Sequence, residues 1–204
     1  MPESSREIVT PRGSALVDLT PASGRAKSLL VLGHGAGGGV DAPDLVALRD
    51  AASAAGVTVA RVTQPYRVAG RRAPAPAPQL DEAWTSVVRE LLTTSRRTPL
   101  VVGGRSSGAR VACRTAADLG AAAVVCLAFP LHPPGKPERS RQAELASGVS
   151  TLVLNGDRDP FGVPAGDRHT LIVVRPGEGH DLRRDPAGTA RLVVDWLRER
   201  NLAR

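Results

Sequence analysis

At 204 residues the chain is long enough for one well-buried domain and too short for two ordinary ones. Hydrophobic residues make up 42% of it but aromatics only 2%, so its core has to be built from Val, Leu and Ala. The net charge of +7 is carried by arginine, with lysine only at Lys27 and Lys136; the charges are dispersed, at most paired as in Arg71-Arg72, Arg96-Arg97 and Arg183-Arg184, and never interleaved with aromatics, which speaks against a nucleic-acid surface and for a solvated one.

Apolar runs alternate with helical patterns, which predicts a mostly parallel sheet wrapped by helices. Residues 7–19 read as one or two short edge strands broken at Pro11-Arg12-Gly13. Residues 28–32 form an apolar strand that runs into Gly33-His34-Gly35-Ala36-Gly37-Gly38-Gly39. Asp41 is placed to cap a helix with Pro43 in its first turn and Gly56 as its stop, and residues 57–62 are the next strand. Residues 64–79 read as a loop rich in Pro, Arg and Ala; Ala83, Trp84, Val87, Val88, Leu91 and Leu92 then recur at the spacing of one helical face. A strand from Leu100 leads into Gly104-Arg105-Ser106-Ser107-Gly108, a helix over residues 107–119 follows, and residues 121–129 read as another buried strand. A second loop covers residues 130–137, with a short helical piece near residues 141–146. Residues 151–154 and 170–174 are the last strands, and Asp185-Pro186 opens a final helix that buries Leu192, Val193, Trp196 and Leu197.

Strand, Gly-x-Ser-x-Gly, helix is the layout of a nucleophile elbow, in which a serine on a strained turn is pushed into solvent reach at the carboxyl end of a buried strand. A serine hydroxyl is a poor nucleophile at neutral pH and needs a base. His180, flanked by glycine in Gly177-Glu178-Gly179-His180 after the last strand, supplies one. The base needs a carboxylate to fix its tautomer. Asp159 follows the strand over residues 151–154, and Asp157, two residues earlier, competes for the role; Asp159 is favoured because it lies farther along the loop. All three residues fall just beyond strand carboxyl ends, where open α/β sheets place their sites, in the chain order Ser, Asp, His. An oxyanion hole would draw one N–H from Ser107 and another from Ala36 or Gly37 in the His-Gly-x-Gly loop.

Each element has a plainer counterpart. The glycine-rich loop at residues 33–39 could bind phosphate, but it lacks the Gly-Lys-Ser/Thr ending of a P-loop and fits the dinucleotide fingerprint poorly. Asp159 could be an N-cap, and Asp181, adjacent to the base, should point elsewhere. His34 reads as structural, His132 as a pocket-lining residue and His169 as a surface residue. Arg67, Arg71, Arg72 and Lys136, on the loops expected to form the mouth, could select an anionic acyl group, but general arginine enrichment is the better account of them. Cys113 and Cys126 fall in apolar segments and read as two buried thiols. No apolar run approaches the ~20 residues of a membrane span, and the first residues lack a secretory profile, so the expected location is the cytoplasm.

Four segments together carry a resemblance: residues 32–39, 103–110, 129–137 (Phe-Pro-Leu-His-Pro-Pro-Gly-Lys-Pro) and 156–162. They resemble the dienelactone-hydrolase-related α/β hydrolases, and within these the branch that includes the testis-expressed hydrolase-like protein and a subunit of the NSL histone-acetyltransferase complex. The resemblance implies an α/β-hydrolase fold as a minimal single domain over residues 1–204 without a large lid. It implies a Ser106, Asp159, His180 triad and no metal or organic cofactor. Dienelactone hydrolase itself has a cysteine nucleophile where this chain has serine, so its substrate does not transfer. The expected function is a serine hydrolase that attacks a small ester or thioester through an acyl-enzyme; the alternative is a non-catalytic interaction protein that kept the fold.

Overall fold

The computed structural model describes residues 4–95 and 97–204. Strands β1 (Ser4–Thr10) and β2 (Gly13–Thr20) form an antiparallel hairpin at one edge, turned at the expected Pro11-Arg12-Gly13. Then come β3 (Ser28–Gly33), α1 (Pro43–Ala54), β4 (Val57–Thr63), α2 (Pro65–Val68), α3 (Ala77–Thr94), β5 (Leu100–Arg105), α4 (Ser107–Thr115) and β6 (Ala123–Leu127). A short 3-10 helix (Gln142–Leu145), β7 (Thr151–Gly156), β8 (Thr170–Arg175) and α5 (Pro186–Glu199) complete the described elements. The strands lie side by side in the order β1-β2-β4-β3-β5-β6-β7-β8. Pairing is antiparallel from β1 to β4 and parallel from β4 through β3 to β8.

The period of two along each central strand divides the core. Leu29 and Val31 of β3, Val102 of β5 and Val124 and Cys126 of β6 face α3 and α4, where Trp84, Val87, Val88 and Val111 cover them. Leu30 and Leu32, Val101, Val125 and Leu127 face the other way, onto Leu45 and Leu48 of α1 and Val193, Trp196 and Leu197 of α5. Both faces are therefore covered, which is why β3, β6 and β7 read as unbroken apolar runs and are buried along their whole length. Cys113 of α4 and Cys126 of β6 are free and buried, as expected, with their sulfurs 3.3 Å apart. Half-buried Arg114 bridges Asp81 of α3 at 2.6 Å and Glu144 at 3.0 Å, and Arg110 grips the same Glu144, so the helix behind the elbow is tied to its neighbours.

Four boundaries differ from the sequence reading. Residues 64–79 are not all loop: α2 begins at Pro65, and α3 already runs from Ala77. Proline fixes φ near the helical value and lacks an N–H that a first turn does not need, so Pro65 and Pro78 start helices here. Asp41 does not cap α1, whose N-cap position falls on Ala42 without a side-chain bond. α4 ends at Thr115, with a turn up to Gly120, whose φ of +65° reverses the chain. β6 ends at Leu127, because Ala128 takes φ +51° and turns the chain aside.

Across the sheet the chain passes outward from β3 to β4 and returns on the other side of β3 to form β5. That switch point opens a crevice beyond the carboxyl ends of β3 and β5. The glycines there are a matter of space. A Cβ on Gly108 would lie 2.4 Å from the Gly33 carbonyl oxygen, and one on Gly104 would lie 2.5 Å from the same atom. Gly108→Ala should therefore push α4 off β3 and destabilise the protein by about 3 kcal/mol or more, read from the urea midpoint of unfolding.

Candidate active site

Ser106 occupies the tight turn between β5 and α4 with φ +52° and ψ −111°, a conformation that non-glycine residues rarely adopt and that costs roughly 1–3 kcal/mol. The Ser106 N–H donates to the Leu127 carbonyl at 2.9 Å, fastening the turn to the end of β6. Beyond β8, the backbone at Glu178 passes so close to Gly156 that a Cβ there would lie 2.1 Å from the Glu178 oxygen. The buried Glu178 carboxylate accepts from the N–H groups of Arg184 and Asp185, at 3.2 and 2.8 Å. Folded back in this way, the loop delivers His180 to the serine.

His180 Nε2 lies 2.9 Å from Ser106 Oγ, and His180 Nδ1 lies 2.8 Å from Asp159 Oδ2. An ionised carboxylate only accepts, so Nδ1 carries the proton and Nε2 is left to take one from the hydroxyl. The Asp159 side chain is buried, and its other oxygen accepts from the Phe161 N–H at 2.8 Å. Asp157 is exposed and is spent elsewhere, accepting from the Gly177 N–H at 2.8 Å. Asp181 pairs with Arg183, and His169 sits exposed before β8 beside Arg168. The geometry therefore brings Ser106, His180 and Asp159 into one serine-hydrolase triad and leaves Asp157, Asp181 and His169 out of it.

The loop after β3 runs beside the serine; a Cβ on Gly35 would lie 3.6 Å from Ser106 Cβ. His34 Nε2 accepts from the Gln64 N–H at 3.1 Å, so its Nδ1 holds the proton and donates to the Gly35 carbonyl at 2.8 Å. Burial pushes this imidazole's pKa down and keeps it neutral, as that pattern requires. The Tyr66 hydroxyl donates to the Ala36 carbonyl at 2.9 Å. In a trans peptide the N–H points opposite to the preceding C=O, so His34 sets the direction of the Ala36 N–H and Tyr66 that of the Gly37 N–H. Ser107 begins α4, where backbone N–H groups have no partner within the helix. Tyr66→Phe should leave the fold intact and lower kcat about fivefold with KM little changed, the size of one net hydrogen bond, in steady-state ester hydrolysis.

A family profile described as "Alpha/beta hydrolase domain" matches residues 26–169, a stretch that carries Ser106 and Asp159 and ends before His180. The chain belongs to this family. No curated protein sequence matches the chain. Among solved structures, an alpha-beta serine hydrolase homologue of Coxiella burnetii superposes with a TM-score of 0.78 at 19% identity, over 97% of this chain and 98% of that one. A lidless serine hydrolase of Xanthomonas campestris gives 0.76 at 19% identity, over 98% and 96%. A dienelactone hydrolase of Anabaena variabilis gives 0.76 at 16% identity, over 97% of each chain. At these identities the likeness shows the fold: an α/β-hydrolase domain with no large lid.

Several residues that shape this hydrolase site escape sequence reasoning. Buried Asn155, next to last in β7, touches four groups: its Oδ1 accepts from the Phe129 N–H at 2.9 Å, its Nδ2 donates to the carbonyls of Phe129 at 2.9 Å and Gly162 at 3.0 Å, and Asp159 Oδ2 lies 3.4 Å from the same nitrogen. The signal for it was a single polar residue closing an apolar run. Arg105 sends Nε to buried Asp44 at 2.9 Å and another guanidinium nitrogen to the His180 carbonyl at 3.1 Å, tying α1 to the histidine loop. Burial raises the Asp44 carboxyl above its usual range, and the Arg105 guanidinium opposes that shift. The chain's one tyrosine and one of its two phenylalanines also sit here, Phe161 stacked on His180. His132 packs on the acid loop, since a Cβ on Gly162 would lie 2.6 Å from its Nε2. Arg71, Arg72 and Lys136 are exposed. No helix among the described residues is long and apolar enough to cross a membrane.

Proposed function

We propose that this chain hydrolyses a small ester or thioester by acyl-enzyme chemistry in the cytoplasm. The observation that carries the reading is the unbroken line from Asp159 Oδ2 through the imidazole to Ser106 Oγ, with contacts of 2.8 and 2.9 Å, beyond the ends of three parallel strands. Ser106 Oγ attacks the substrate carbonyl carbon as His180 Nε2 takes its proton, and Asp159 holds the imidazolium that forms. The Ser107 N–H and the N–H groups of Ala36 and Gly37 receive the oxyanion. The carbon–leaving-group bond then breaks, with the proton passing from His180 to the departing alcohol or thiol. Water, deprotonated by His180, repeats the attack on the acyl-enzyme and frees Ser106.

The Phe129-Pro-Leu-His-Pro-Pro-Gly-Lys-Pro137 segment supports a finer placement, in the branch with the testis-expressed hydrolase-like protein and the NSL-complex subunit. Turnover of p-nitrophenyl acetate tests the function. The wild type should release p-nitrophenol with a burst followed by a steady rate, and Ser106→Ala should reduce the steady rate to background. A rate that survives this substitution defeats the assignment.

A further inference from the structure

Phe161 is held from both directions. Its N–H donates to Asp159 Oδ1 at 2.8 Å, and its carbonyl accepts from the His132 N–H at 3.0 Å. The next residue, Gly162, takes φ +80°, donates to the Asp159 carbonyl at 3.0 Å and gives its own carbonyl to Asn155 Nδ2 at 3.0 Å. These bonds fix the Phe161 backbone, and with it the point from which the phenyl ring reaches the histidine. It lies against the His180 imidazole with ring centroids 4.1 Å apart and planes inclined by 28°.

Near-parallel stacking of two neutral rings gains little electrostatically, because the negative faces of their π-systems meet. A cationic ring over the same face is attracted by the aromatic quadrupole. The contact is therefore weaker before Ser106 gives up its proton than after, which is the differential that accelerates a step. The other charged groups packed around His180 are Asp159 at Nδ1, the Arg105 guanidinium with its Asp44 partner at the carbonyl, Asp181 next in the chain with Arg183, and Glu178 beneath the loop. Of these, Asp159 is the one hydrogen-bonded to the ring, at its edge.

We propose that Phe161 is a positioning residue that braces the imidazole face and preferentially stabilises the His180 imidazolium of the transition state. The inference rests on the proposed serine-hydrolase function. It also gives the Phe129–Pro137 loop a role, since the His132 N–H of that loop holds the Phe161 carbonyl in place.

The test compares Phe161→Leu, Phe161→Met, Phe161→Tyr and Phe161→Trp in the full chain, using p-nitrophenyl acetate hydrolysis and inhibition by phenylboronic acid. In that inhibitor boron accepts the Ser106 oxygen and the serine proton moves to His180, giving a tetrahedral boronate facing an imidazolium. The aliphatic variants should lose about five- to twentyfold in kcat with KM within about twofold, and their boronate inhibition constants should rise by a similar factor. Tyrosine and tryptophan should restore kcat to within about threefold of wild type. An unchanged kcat in the aliphatic variants, a loss confined to KM, or a failure of both aromatic replacements to restore the rate overturns the proposal. Loss of folding in both aliphatic variants also overturns it, because Phe161 is then a packing residue. Turnover that survives Ser106→Ala is a different failure, of the function on which the proposal rests.

Discussion

His180→Ala should lower kcat for a small activated ester by about 10⁵- to 10⁶-fold, close to the loss expected for Ser106→Ala. The two residues act as a unit. Without the imidazole 2.9 Å from Oγ, the hydroxyl has nowhere to send its proton, and the double variant should be little worse than either single one. Stability should respond differently. His180 is a partly exposed residue whose carbonyl is held by Arg105, on a loop that Glu178 closes through the Arg184 and Asp185 N–H groups, so the alanine variant should keep the wild-type unfolding midpoint. Parallel kcat and urea measurements on Ser106→Ala, His180→Ala and the double variant check this. Additive losses would mean that serine and histidine do not work on the same proton.

Asp159→Asn carries the second-largest effect, about 10⁴-fold in kcat. The amide preserves shape, but its NH₂ group facing Nδ1 would favour the tautomer with the proton on Nε2, which cannot accept from serine. Asp157→Asn should change kcat by less than about threefold, since its carboxylate only accepts from the Gly177 N–H at the base of the loop. The contrast is sharp because the two residues are neighbours in one turn. Steady-state kinetics of the two variants decide it, and a larger loss at Asp157 would reverse the assignment.

That pair also shows where sequence reasoning was strong and where it ran out. Strand ends were legible because covered parallel strands are continuous apolar runs, and functional residues of this fold gather where those runs stop. Ser106, His180 and the glycine loop at residues 33–39 could be placed from those stops together with the Gly-x-Ser-x-Gly motif and the glycines flanking the histidine. Asp159 is favoured over Asp157 in the sequence only by its place farther along the loop; the turn that carries it to His180 depends on Asn155, which binds Phe129, Asp159 and Gly162, and on Gly156, which lets the histidine loop pass close by. Residues 64–79 read as loop because they are rich in proline, whereas proline in a first turn starts a helix, as at Pro65 in α2 and Pro78 in α3. Asn155, Arg105, Tyr66 and Phe161 act through contacts with residues distant in the chain, apart from those Asn155 and Phe161 make within the acid loop. Local patterns carry no trace of such contacts. A chain with so few aromatics that places its tyrosine and a phenylalanine at the site offered a compositional hint, readable only once the fold had been seen.

The strained elbow, the crowded glycines and the buried Asp44–Arg105 pair share one consequence. Each gives up some stability to hold backbone and side chains where the crevice opens, and the double-sided core of Val, Leu and Ala supplies the stability that offsets it.

Labelling with a fluorophosphonate probe tests the central claim most directly, because the probe reports an activated serine without requiring the natural substrate. The wild type should label at one site, with the adduct on Ser106 by peptide mass mapping, and Ser106→Ala and His180→Ala should not label. A folded wild type that stays unlabelled, or a label that persists in Ser106→Ala, would contradict the account.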